Sequence, residues 1–130
     1  MSDATCRWKI VVGHHPIYDH GLYGDNDDLI THLLPLLEAN GVHLYISGHE
    51  HRSIVFYKPE VSPVRFLITG RTCDKRGGKQ YHTKSKLHPP LLNNISDLAF
   101  LQLSIVANRL SYTFHNAEDD SILHQSYIDV

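Results

Sequence analysis

Histidine is the residue type whose number and spacing first suggest chemistry. The 130-residue chain carries 11 of them, an excess that points to metal or proton chemistry. Two segments concentrate them, Gly13-His14-His15-Pro16 and Gly48-His49-Glu50-His51, with His14 and His49 separated by 35 positions. Imidazole nitrogen suits zinc, iron, manganese or copper-type ions, whereas hard ions such as calcium are poor matches. His49 and His51, flanking one residue in a turn, can address two different ions rather than chelate one. His32, His43, His82, His88, His115 and His124 stand alone and read as ordinary hydrogen-bonded surface residues.

Both segments need elements to position them. Residues 7–12 (RWKIVV) form a short apolar run ending in Gly13, the pattern of a buried strand. Residues 13–25 are a loop, too polar and too broken by glycine for an element. Leu29, Leu33 and Leu37, with Ile30 and Leu34 beside them, trace one face of an amphipathic helix. Asp25 or Asn26 can cap it, Asn40-Gly41 stops it, and Pro35 should kink it. Residues 42–47 (VHLYIS) make a second buried strand, again ending in glycine. Two strands joined through one helix should lie side by side and parallel. Their carboxyl ends then share one rim, the edge on which open α/β sheets bind ligands. A glycine before each histidine lets the chain turn off its strand.

Further strands are expected at 53–57 and 64–69, and 71–96 reads as a long irregular loop. From Leu98 the pattern changes to clean alternation. Leu101, Leu103 and Ile105 share one face, and Leu110, Tyr112 and Phe114 another, across a turn at Ala107-Asn108. A last strand is expected over 122–128. The composition, 42% hydrophobic and 20% charged, supports a folded core rather than a disordered tail. A net charge of −2 argues against a strongly basic nucleic-acid binder. No apolar run approaches the roughly 18 residues of a membrane helix. Cys6 and Cys73 are too few for a disulfide framework, and residues 1–6 lack the pattern of a signal peptide.

The stretch 10–57 resembles the calcineurin-like metallophosphoesterases, most closely their purple, tartrate-resistant acid phosphatase branch. Val11-Val12-Gly13-His14 is similar to the family's V-x-x-H motif and Gly48-His49-Glu50-His51 to its closing G-H-x-H motif. The helix ending LLPLLEANGV between them is in the manner of that branch. The resemblance implies an α/β fold: the C-terminal half of a metallophosphoesterase β-sandwich of mixed sheets flanked by helices, starting β-α-β and finishing with antiparallel strands. It implies one partial domain over 1–130, with a metal-ligand region at 7–57, a long basic loop at 71–96 and antiparallel strands over 97–130. It also implies two metal ions, iron with iron, zinc or manganese, sharing a bridging aspartate and hydrolysing a phosphomonoester through activated water. His14 and His49 would bind the divalent ion and His51 the other. His20 falls near a histidine that assists phosphate binding or the leaving group, with Asp19 competing for that role, and His15 would face the substrate cleft.

The family's other ligands belong to motifs that precede V-x-x-H, namely D-x-H or D-x-G, G-D-x-x-Y or G-D-x-x-D, and G-N-H-D/E. None of them stands ahead of Val11, and Gly24-Asp25-Asn26 echoes a G-D motif only after a loop, with no tyrosine three residues on. The expectation is therefore a part of a phosphomonoesterase that needs an N-terminal half or companion chain, which would also cover the open sheet edge. The competing expectation is a catalytically inactive, phosphatase-derived structural or interaction subunit that holds no metal. The basic segment with Arg71, Lys75, Arg76, Lys79, Lys84 and Lys86 reads as a solvated loop or as an anion-binding patch. A nucleic-acid partner is not expected, because only Tyr81 is available there to stack on bases. A mononuclear zinc site on His14, His49 and His51 is a further alternative. Asn94-Ile95-Ser96 is a glycosylation sequon, meaningful if the parent protein is secreted or lysosomal.

Overall fold

A computed structural model describes residues 6–71, 85–94 and 96–130. Ten elements follow in order: β1 (Ile10–Val12), α1 (Asp27–His32), α2 (Leu34–Ala39), β2 (Leu44–Ser47), β3 (Ser53–Phe56), β4 (Arg65–Thr69), β5 (Leu92–Asn94), β6 (Ala99–Val106), β7 (Arg109–Asn116) and β8 (Ile122–Asp129). They build a five-stranded mixed sheet, β1-β2-β4-β3-β5, and a three-stranded antiparallel sheet, β6-β7-β8. The α/β start and the antiparallel finish are as expected, and β1 pairs parallel with β2 in register Val11 to Tyr45.

The mixed sheet is apolar on both faces because both are covered, which is why its strands read as unbroken hydrophobic runs. On one face Tyr45, Ile54, Phe56, Phe66 and Ile68 pack with Leu34 and Leu37 of α2 and with Ile17 and Tyr18 of the loop after β1. Leu44, Ile46, Val55 and Leu67 point the other way, onto Leu110, Tyr112 and Phe114 of β7. Each such fully buried side chain contributes about 1.5–3 kcal/mol by leaving water. The register pairs Leu101 with Phe114, Leu103 with Tyr112 and Ile105 with Leu110. The two expected stripes are thus one continuous face of the meander, not two.

Three sequence expectations need correction. Pro35 does not kink one helix but separates two. Leu33 ends α1 by donating to the Leu29 carbonyl, and α2 restarts with Pro35 in its first turn, where a missing N–H costs nothing. Of the two caps expected, Asn26 is the one used, accepting from the Leu29 N–H at 3.1 Å. The stretch 71–96 is not wholly irregular: β5 pairs with β3. β1 is only partly buried, and Val12 is 72% exposed, because nothing among the described residues pairs with its outer edge. No helix among the described residues is long and apolar enough to cross a membrane.

Candidate metal centre

The ends of β1 and β2 are stitched to each other. Gly13 N–H donates to the Ile46 carbonyl at 2.9 Å and Gly48 N–H to the His14 carbonyl at 3.1 Å. Gly13 is required for space rather than for turning: a Cβ there would lie 2.2 Å from the Tyr45 hydroxyl oxygen. That hydroxyl donates to the His15 carbonyl at 2.8 Å and fixes the loop as it leaves the strand. Gly48 would have open space for a Cβ. The left-handed residue is instead His49, with φ 65°, held in a tight turn by the Glu50 N–H donating to the Gly48 carbonyl at 2.8 Å. A non-glycine residue in that conformation carries strain, a feature concentrated at functional sites.

The turn aims His49 at the other segment. His49 Nδ1 lies 3.3 Å from His14 Nε2, and the His15 ring centroid is 4.4 Å from that of His49. His14, His15 and His49 each offer a nitrogen, all within 4.8 Å of one another. His51 is exposed and lies outside that group. Burial, then the neighbouring His15 and His14, hold the His49 imidazole below its ordinary range, with Asp19 opposing and His51 adding to the effect. A neutral ring is what a metal ion binds. The donor set, nitrogen from three imidazoles, fits a transition-metal ion. Tyr23 places its exposed ring 5.0 Å from His49.

Behind this rim lies a buried polar cluster with only a faint trace in the sequence. Asp19, His20, Glu50 and Arg52 are all buried, and Arg52 pairs with Glu50 at 3.6 Å. The Asp19 carboxyl is pushed up to about 7, first by burial, then by the adjacent Glu50 charge, and a hydrogen bond with Glu50 adds to this; the Gly21 N–H and Arg52 oppose it. Gly21 is needed here, since a Cβ would meet the Glu50 carboxylate at 2.5 Å and the Arg52 guanidinium at 2.6 Å. A Cβ on Gly70 would lie 1.7 Å from the Glu50 carbonyl oxygen. The loop carrying His49 and His51 is therefore gripped from two sides. Glu50 and Arg52 left one signal: two charged residues flanking His51 at the end of an apolar strand.

His20, itself buried, stacks on the exposed His88, centroids 4.7 Å apart, outside the group of His14, His15 and His49. Asp25 accepts from the Asp19 N–H at 3.1 Å and the Lys86 N–H at 2.7 Å. The basic segment falls mostly outside the described residues, Cys73 and His82 included. Of its ends, Arg71 is buried, not solvated as expected, and Lys86 pairs with Asp27 at 3.7 Å. Two of the solitary histidines are satisfied locally: His43 Nδ1 accepts from the Lys9 N–H, and His115 lies 2.9 Å from Asp120. His124 departs from the expected hydrogen-bonded surface residue: its Nε2 is buried without a hydrogen bond among the described residues, and its ring stacks on Tyr112.

The model of the calcineurin-like phosphoesterase family matches residues 1–53, the span holding both histidine segments. Purple acid phosphatase 4 of Arabidopsis thaliana is 31% identical over 123 residues, 94% of this chain and 35% of that protein. A purple acid phosphatase structure from yellow lupin (Lupinus luteus) seeds superposes with a TM-score of 0.67 at 14% identity, covering 94% of this chain and 25% of that one. GAP50, the anchor in the inner membrane complex of Plasmodium, superposes with a TM-score of 0.81 at 24% identity, over 96% of this chain and 37% of that one. The chain thus spans well under half the length of each of these proteins. The family is one of dinuclear metal sites. The matched family model, the relative and the shared fold agree: the chain belongs to the calcineurin-like metallophosphoesterases and is related to their purple acid phosphatase branch.

Proposed function

We propose that this chain supplies imidazole ligands to a dinuclear-metal phosphomonoesterase of the acid phosphatase type, and that residues 1–130 are one partial domain of it. The observation that carries the reading is the meeting of His14 and His49, 3.3 Å apart, at the ends of two adjacent parallel strands. In this reading His14 and His49 hold the divalent ion, and His51 holds its partner, an iron paired with iron, zinc or manganese. The bridging aspartate and the asparagine ligand come from polypeptide outside these 130 residues, from an N-terminal half or companion chain seated on the open edge of β1. Such an ion pair, held by these residues, would supply an activated water and would neutralise charge on the phosphoryl group. His15, exposed on the rim, orients the phosphomonoester. His20 would hold a proton for the leaving group, with Asp19 competing for that role.

Elemental analysis of the natively purified protein, with the masses of co-purifying chains, tests this directly. About two metal equivalents, together with the missing aspartate motifs, are expected. Turnover of a generic phosphomonoester should vanish in His49→Ala, and unchanged turnover refutes the role.

A second reading has its own support. The chain matches GAP50, an anchor by description, over nearly its whole length, and the 71–76 segment is bulky and basic. In that reading the chain is a catalytically inactive structural or interaction subunit. Absence of metal, with partners unrelated to phosphatases, is the result it requires.

A further inference from the structure

We infer that His124 is a proton-operated release for the meander: once charged, it sets a second cation against Arg65 in the seam between the two sheets and loosens β8 from the mixed sheet. The device lies away from the histidine rim. Arg65 opens β4 beside Leu44, at the start of β2, whereas the rim lies past the end of β2.

The geometry carries it. His124 pairs across the strands with Phe114, so the two side chains share the face that packs on the mixed sheet. Its ring stacks on Tyr112, centroids 6.0 Å apart, and its Nε2 is buried with no hydrogen-bond partner among the described residues. Arg65 reaches the same place from β4. Its Nη1 donates to the Tyr112 hydroxyl at 3.3 Å and to the Tyr127 carbonyl at 2.8 Å, which ties β4 to both β7 and β8. The guanidinium lies 4.0 Å from the Tyr57 ring centroid and 5.5 Å from that of Tyr112. Arg65 Nε is itself buried without an acceptor. The seam therefore already has a donor to spare. Neutral His124 can turn a bare lone pair inward, but the imidazolium must place an N–H there, with nothing to accept it and a guanidinium nearby. Both effects oppose the charge. Burial first, then Arg65, hold the imidazole below its ordinary range. The other ionisable groups around it do not offset this. Tyr57 and Tyr112 are neutral phenols, His115 is engaged with Asp120, and Tyr127 and Asp129 of β8 are engaged with Arg109.

Neutral His124 supports the fold in full above about pH 6.5, its ordinary value in an unfolded chain. That support is lost as pH falls toward the lower value it has in the fold. Asp19 acts in the opposite sense, so the test reads regions separately rather than whole-protein stability. Amide hydrogen exchange of the natively purified protein, followed by mass spectrometry and corrected for intrinsic rates, is compared at about pH 7.5 and about pH 5. Protection of the β8 amides should fall by about tenfold at the lower pH, while that of β2 and β4 holds. His124→Phe, which can stack on Tyr112 but cannot charge, should keep β8 protected at both values. His124→Gln, polar and equally unable to charge, should do the same. Equal acid loss in these variants overturns the inference, as does loss spread evenly over both sheets. So does a parent protein whose β8 is equally protected at both pH values, a result that needs no variant to fold.

Discussion

The mixed sheet and the meander share one apolar core, yet they use their histidines in opposite ways. In the mixed sheet, parallel β1 and β2 are joined by a long crossover through α1 and α2. Their loops must leave from one edge, and His14, His15 and His49 meet there. In the meander, β6 and β7 are joined across Ala107-Asn108, a connection too short to gather side chains. Its His115 is consumed locally, 3.0 Å from the Gln102 side chain, near Asp120, and stacked on Phe100. The lesson is topological: parallel pairing forces a long connection whose loops leave on a common rim, whereas the antiparallel pair β6–β7 returns the chain in two residues with nothing left over for a ligand.

The largest effect should come from the seam between the two regions. Phe114 is fully buried against the mixed sheet, so Phe114→Ala should cost about 3–5 kcal/mol. Chemical unfolding followed at the single tryptophan, Trp8, which packs into the same core, should report it. If Trp8 unfolds at the parent midpoint while the meander is lost, the regions are separate units and the comparison fails.

The buried cluster under the rim should show itself through pH. Asp19 holds its proton up to about 7 in the folded state but only to about 4 when unfolded. Between those values the native chain binds more protons, so this group's contribution to stability falls as pH rises from about 4 to 7, by up to a few kcal/mol. Asp19→Asn should flatten that slope in a series of denaturant titrations. An unchanged slope would show that the rim is not underlain by a shared proton.

A smaller effect is expected at the strained turn. His49→Gly removes the cost of a left-handed side chain, and metal-free protein should be as stable or gain about 1 kcal/mol, while affinity for the divalent ion falls. A clear drop in the melting temperature of chelated protein would mean that the His49 ring stabilises the fold. The smallest effect belongs to the meander's surface. Arg109 donates twice to Asp129, at 2.7 and 2.8 Å, but both side chains are about half exposed. Asp129→Ala should leave the melting temperature nearly unchanged, in contrast to any substitution at the rim.

The strands around the two histidine segments were legible because apolar runs and glycines are local signals, and the meander because alternation with period two survives in eight-residue strands. The break at Leu33 was less so. Pro35 announces that something happens to the helix, but whether it bends or restarts depends on how Leu34 and Leu37 seat on the sheet. β5 is three residues long and has no periodicity to read. Arg71 counted as one more cation in a basic run, and its burial could not be anticipated from its neighbours in sequence.

By itself the sequence determined every described strand but β5, where the two histidine segments leave theirs, and the family they resemble, because these rest on residue type and short spacing. Only the tertiary structure decided which imidazoles face one another. Hydrogen bonds between strand ends and the left-handed turn at His49 bring His15 into the group and leave His51 outside it. Tertiary structure alone also packed Asp19 against Glu50 and Arg52, residues more than 30 positions apart. Burial, not spacing, gives that carboxyl its proton, and burial is a property of the whole fold.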